Sequence, residues 1–200
     1  HMILADIVWQ GVPRKVLMQA PKSGFFMIID RESGEFISAR PFVDVTWASH
    51  YDPATGGPVE IPGQDYSDGK AAVKPSSGGA HNWQPMAYSP RRGLVYIPIM
   101  ESTLVYADPE SFDVRFGWRN QGVQRPDPPP GNELLHRAIS RRVSSGHLLA
   151  WDPTAQKQAW RIDLPTPWNG GVLSTAGDLV FQGNGDRRLV AYAAESGEVL

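Results

Sequence analysis

The chain repeats itself. Ala150-Trp151-Asp152-Pro153-Thr154 returns as Ala191-Tyr192-Ala193-Ala194-Glu195, an offset of 41 residues. Asp30 and Asp152 lie 122 residues apart, close to three such steps. The unit reads as an apolar run, then Asp-x-x-Ser/Thr-Gly, then an apolar return, as at Asp30-Arg31-Glu32-Ser33-Gly34. An apolar run that ends in an Asp/Gly turn is two strands joined by a tight connection. Periods of about 40–45 residues with several strands per unit mark the blades of a β-propeller. The predicted fold class is therefore all-β. It is a partial propeller of about four blades, each a four-stranded antiparallel sheet, and residues 1–200 are expected to form one such partial domain. In the third unit the return ends at Trp160, whose counterpart 41 residues on would be position 201, one past Leu200. A blade needs neighbours on both faces to bury its apolar surface. The expectation is a segment of a longer protein.

Local patterning agrees with strands. Lys15–Ala20 and Phe25–Asp30 are apolar runs separated by Pro21-Lys22-Ser23-Gly24, with Gly24 supplying the turn. Asp30-Arg31-Glu32-Ser33-Gly34 makes a second turn before Glu35-Phe36-Ile37-Ser38. The same grammar recurs at Gly93–Pro98 and Asp178–Gly183. No window shows a clean helical spacing. The best helix candidate, Asn132–Arg142, is hemmed in by prolines. Two stretches interrupt the pattern, Tyr51–Gly79 and Arg119–Gly131, the second ending in Pro126-Asp127-Pro128-Pro129-Pro130. Irregular stretches of this length are solvated insertions or covers over one face of a site.

Composition removes several classes. With no cysteine there is no disulfide scaffold, cysteine zinc site, iron–sulfur cluster, CxxCH haem attachment or cysteine nucleophile in this chain. A net charge of −2 gives no overall electrostatic footprint for nucleic acid. No stretch reaches the ~18 apolar residues of a membrane-spanning helix. Residues 1–6 lack the basic start and cleavage site of a signal peptide. Hydrophobic residues make up 41% of the chain and charged ones 20%, enough apolar material for a core.

Four segments carry a more specific signal. Lys15–Ser38, Gly79-Ala80-His81-Asn82-Trp83-Gln84-Pro85-Met86, Leu148-Leu149-Ala150-Trp151-Asp152-Pro153 and Pro167-Trp168-Asn169-Gly170-Gly171 appear in this order. Together they resemble the pyrroloquinoline quinone (PQQ)-dependent alcohol dehydrogenases, most closely the quinohaemoprotein branch. The Asp-x-x-Ser/Thr-Gly-x-x-x-x-Trp pattern is similar to that family's tryptophan-docking motif, which ties neighbouring blades together. Positions 51–78 and 101–145 match poorly. The resemblance implies an eight-bladed propeller carrying PQQ and calcium, of which this chain is approximately the second half. It also implies a periplasmic parent that oxidises a primary alcohol to an aldehyde. A catalytic aspartate would take the alcohol proton and hydride would pass to the quinone C5. The family's catalytic aspartate, calcium ligands and cysteine pair have no counterpart here, so the chain alone is expected to lack turnover. The implied partners are a small alcohol and an electron acceptor.

The resemblance assigns PQQ contacts residue by residue. Lys22 is the cation on the quinone oxygens, where a fixed positive charge stabilises developing negative charge. Asn82 and Trp83 supply amide and indole N–H donors to a planar anionic cofactor. Gly171 and Val172 approach it through backbone, with paired glycines permitting close contact. The plainer readings are an exposed turn lysine, a loop Asn beside a core Trp, and an ordinary turn between blades. Asp30, Asp152, Trp151 and Trp160 are structural docking residues.

No metal site is expected. His50, His81, His136 and His147 lack metal-ligand spacing. Asp44, Asp52, Asp65 and Asp68 lack the alternation of a calcium loop. Arg137, Arg141 and Arg142, with Lys74, read as solvated surface. A second function class stays open: a half-propeller binding module that a second copy completes.

Overall fold

A computed structural model describes residues 1–67, 69–117, 120, 122–123 and 144–200. Among these there are strands and no helix. The helix candidate at 132–142, His136, Arg137, Arg141, Arg142 and Asp68 lie outside the described residues.

The first sheet is a meander of β1 (Ile3–Trp9), β2 (Val12–Gln19), β3 (Phe25–Asp30) and β4 (Phe36–Pro41). Burial alternates residue by residue along β1. Ile3, Ala5 and Ile7 of β1 pair with Met18, Val16 and Arg14, so one face gathers the apolar side chains. Two short ribbons follow. β5 (Ala48–Tyr51) pairs with β6 (Pro58–Glu60), and β7 (Lys70–Val73) pairs with β10 (Leu104–Ala107). The stretch 51–79 is thus not wholly irregular. The partners of β7 lie beyond residue 100, too far along the chain for local patterning to show them.

The second sheet has the order β12-β11-β9-β8, built from β8 (Ala87–Ser89), β9 (Leu94–Ser102), β11 (Ser144–Asp152) and β12 (Lys157–Leu164). The third is β13 (Val172–Ser174), β14 (Leu179–Gly183) and β15 (Leu189–Ala193). The partial propeller is therefore present. Among the described residues two sheets have four strands and one has three.

The middle sheet is covered on both faces, which is why β9 reads as a continuous apolar run rather than an alternation. Val95, Ile97, Ile99, Leu149 and Trp151 pack against Val16, Met18, Phe26 and Ile28 of the first sheet. Leu94, Tyr96, Leu148, Ala150 and Trp160 pack against Val172, Val180 and Tyr192 of the third. This stacking corrects one expectation. The 122 residues from Asp30 to Asp152 are one step between adjacent sheets, not three. The ribbons and the excursion between β9 and β11 fill the interval. The 41-residue offset from Ala150 to Ala191 is a genuine single step.

The repeated turns have a common cause. Asp30 Oδ1 accepts the backbone N–H groups of Glu32 (2.9 Å) and Ser33 (3.0 Å). These amides, with Arg14 at 3.1 Å, hold the Asp30 carboxyl down to about 2. Asp152 Oδ1 accepts Thr154 N and Ala155 N in the same way. Each return strand then docks on the next sheet. Trp160 Nε1 donates to the Ala194 carbonyl at 3.1 Å, and its ring covers Gly197. In the first unit the equivalent position is Ser38, whose hydroxyl donates to Gln156 at 2.9 Å. Arg92 adds a second tie, bidentate to Asp178 (2.9 and 2.7 Å) and 2.8 Å from Glu195.

Candidate functional site

The turn between β2 and β3 and the connections entering β8 and β13 emerge at the same end of the stacked sheets. Residues 78–86, leading into β8, run between the other two. On one side Ala80 N donates to the Lys22 carbonyl at 3.2 Å. On the other, the Pro85 carbonyl accepts Val172 N at 3.0 Å. This one segment brings together Lys22, Asn82, Trp83, Gly171 and Val172, which are far apart in sequence.

Lys22 is exposed, at the tip of Pro21-Lys22-Ser23-Gly24. Its ammonium reaches the Ser77 carbonyl at 3.5 Å, and no carboxylate pairs with it among the described residues. The lysine stem lies against Gly79, which has φ +81°. A Cβ at Gly79 would fall 2.7 Å from Lys22 Cα and collide with the lysine side chain. Gly79 is thus what lets the two connections touch.

Asn82 is half-buried, and its amide donates to the Gly78 carbonyl at 2.9 Å. Trp83 is 68% exposed, so it is not the core tryptophan that burial statistics would favour. The flanking residues explain why. His81 and Gln84 are both buried, and they fix the ends of a short arch with Asn82 and Trp83 across its top. Gly171 packs on Pro85, where a Cβ would stand 2.8 Å from the Pro85 nitrogen. The Val172 side chain turns into the core between the second and third sheets, and its N–H is taken by Pro85. Trp168 is half-exposed beside them, and Asn169 braces the turn by accepting Gly185 N at 3.0 Å.

Sequence reasoning missed His81, Gln84 and Gly79 as parts of this arrangement. The available signal was the alternation of large polar and aromatic types in His81-Asn82-Trp83-Gln84, preceded by Gly78-Gly79. Elsewhere, His147 is buried in β11. Its Nδ1 lies 3.3 Å from Glu101, but Arg161 already holds that carboxylate at 3.0 Å. Burial pushes His147 down to about 4. His50 sits on the β5–β6 ribbon beside Ser49. Asp44 pairs with Lys74 at 3.4 Å, and Asp52 caps its own turn at Ala54. Among the described residues no three His, Asp or Glu side chains converge, and no helix is long and apolar enough to cross a membrane.

Three stacked antiparallel sheets, tied by a tryptophan, make a partial β-propeller, with Lys22 and Trp83 exposed on the connections at one end. Comparison with known proteins makes this specific: over its whole length the chain is similar to quinohemoprotein alcohol dehydrogenases. It is 47% identical over its whole length to quinohemoprotein alcohol dehydrogenase ADH IIB of Pseudomonas putida. It is 46% identical to the quinohemoprotein alcohol dehydrogenase of Comamonas testosteroni. It spans 28% of the length of each. Its fold superposes on the solved ADHIIG structure from Pseudomonas putida HK5 with TM-score 0.89 at 44% identity, covering all of this chain and 30% of that one. A europium-containing methanol dehydrogenase matches at TM-score 0.78 and 25% identity, with 34% of that chain covered. No family model matches the sequence.

Proposed function

We propose that this chain is the part of a periplasmic PQQ-dependent alcohol dehydrogenase that presents one edge of the quinone site, within a single partial propeller domain. The observation that carries the reading is the contact between the turn bearing Lys22 and the connection bearing Asn82 and Trp83. Lys22 pairs with no carboxylate among the described residues, and Trp83 is exposed on the adjoining connection.

The donor set suits a planar anionic quinone. Bound there, such a cofactor supplies the two-electron acceptor for a primary alcohol's hydride. Lys22 contributes a fixed positive charge toward the quinone oxygens, which gains strength wherever water is excluded. Asn82 and Trp83 contribute N–H donors, and the Trp83 ring supplies an apolar surface. Gly79 holds Lys22 close to the arch. Gly171 and Val172 border the same face and fix Pro85, so their part is to seat the arch. The calcium, the proton-accepting carboxylate and the contacts to alcohol and electron acceptor belong, in this reading, to other parts of the parent.

Trp83 fluorescence tests the lysine. PQQ added to the chain is expected to quench it. Lys22→Ala is expected to weaken the apparent affinity by about 10- to 100-fold, the worth of a hydrogen bond to a charged group. Equal affinity in the two proteins would count against the assignment.

A specific observation favours a second reading. The outer face of the first sheet exposes Leu4 and Val8 (63% and 60%), and that of the third exposes Leu173 and Leu189 (63% and 77%). A second copy that covers these faces would make a closed assembly. Under this reading the chain runs as a dimer by light scattering, and Leu4→Lys with Leu173→Lys returns it to a monomer. A wild-type monomer at micromolar concentration contradicts it.

A further inference from the structure

Two buried polar side chains bracket the Asn82-Trp83 pair. His81 is 3% exposed and Gln84 is 5% exposed. His81 Nδ1 lies 2.9 Å from the Pro98 carbonyl oxygen. A carbonyl only accepts, so the ring carries its hydrogen on Nδ1 and leaves Nε2 as a bare lone pair. Burial lowers the basicity of the ring and keeps it neutral. Both His81 Nε2 and Gln84 Oε1 are fully buried, and neither has a hydrogen-bond partner among the described residues. Native proteins rarely leave such atoms unpaired.

Both residues line one small cavity, together with Ala80, Asn82, Pro98 and Asn169. It gives a water-sized sphere about 10 Å³ in which to move its centre, which is room for one molecule. Two acceptors face this space, so its occupant must donate twice. A divalent cation does not suit it, because one imidazole and one amide oxygen carry no net charge and no carboxylate lines the cavity.

The geometry points to an internal water site: one molecule that donates a hydrogen to His81 Nε2 and the other to Gln84 Oε1. The site is independent of the cofactor reading, because it uses only the buried ends of the arch. It ties residue 81 to residue 84, so Asn82 and Trp83 stand on a satisfied polar anchor rather than on a strained loop. The rival arrangement turns the Gln84 amide so that its nitrogen donates directly to His81 Nε2.

The test is an atomic-resolution crystal structure of the 200-residue chain, joined to oxygen-17 relaxation dispersion in solution for wild type and Gln84→Met. The expected result is one ordered water within hydrogen-bond distance of both atoms. A long-lived water signal in the wild type should drop by one molecule in the variant. Nitrogen-15 spectra of His81 should show the Nδ1–H tautomer. A direct Gln84–His81 contact with no water between them overturns the proposal, as does equal dispersion amplitude in the two proteins. Should Gln84→Met fail to fold, the wild-type structure decides alone.

Discussion

Trp160→Ala lowers the unfolding free energy by about 3–5 kcal/mol, the range for removing a large aromatic from a packed interior. The size follows from three contacts. The side chain is buried between the second and third sheets. Its ring centroid lies 5.7 Å from that of Tyr96, and a Cβ on Gly197 would fall 2.8 Å from its Cε3. Its indole N–H donates to the Ala194 carbonyl, which also accepts the Tyr96 hydroxyl at 2.9 Å. The hole left by alanine opens where two sheets meet, and neither can close it without moving the other. Trp160→Phe keeps most of the ring and loses the donor, so it costs less, about 1 kcal/mol beyond the packing change. Urea denaturation of the three proteins measures both steps. A loss under 1 kcal/mol for the alanine variant would show that the tryptophan does not tie the sheets.

Acid is the second large effect. His147 titrates near 4 in the folded chain and near its ordinary value of about 6.5 when unfolded, because burial disfavours the charged ring. The unfolded state therefore takes the proton first as pH falls. Stability from this residue is complete above pH 7. It declines from about 6.5 down to about 4 and then levels, a total of about 3 kcal/mol. His81, lowered by burial, adds to the decline in the same direction. Asp30, held to about 2 by backbone amides, loses its contribution only at lower pH, so the two windows separate. Urea midpoints at pH 7.5 and 4.5 check the sign. His147→Gln should flatten most of the difference, and an unchanged slope would place the titration elsewhere.

The sequence showed the fold unevenly, for physical reasons. β3 and β14 were visible as apolar runs closed by Asp/Gly turns. β1 was not, because Leu4 and Val8 are apolar on its exposed face and blur the alternation set by Ile3, Ala5 and Ile7. The ribbon of β7 and β10 joins Lys70–Val73 to Leu104–Ala107, a pairing no local window contains. The spacing from Asp30 to Asp152 misled because insertions mimicked blade steps. At the site, the residue types at 22, 82 and 83 carried the resemblance. Their convergence came from Gly79 and Pro85, whose roles lie in backbone contacts and leave only a weak trace in composition. The exposure of Trp83 was the least legible feature, since an isolated tryptophan is normally a core residue.

Amide and side-chain chemical-shift mapping of the isotopically labelled chain during PQQ titration tests whether Lys22, Asn82 and Trp83 form one quinone-binding edge. Perturbations are expected only at residues 22, 78–83 and 170–172, with the Asn82 amide and Trp83 indole N–H among them, and they should be lost in Lys22→Ala. Perturbations centred elsewhere, or none up to the solubility of the quinone, would contradict a shared edge.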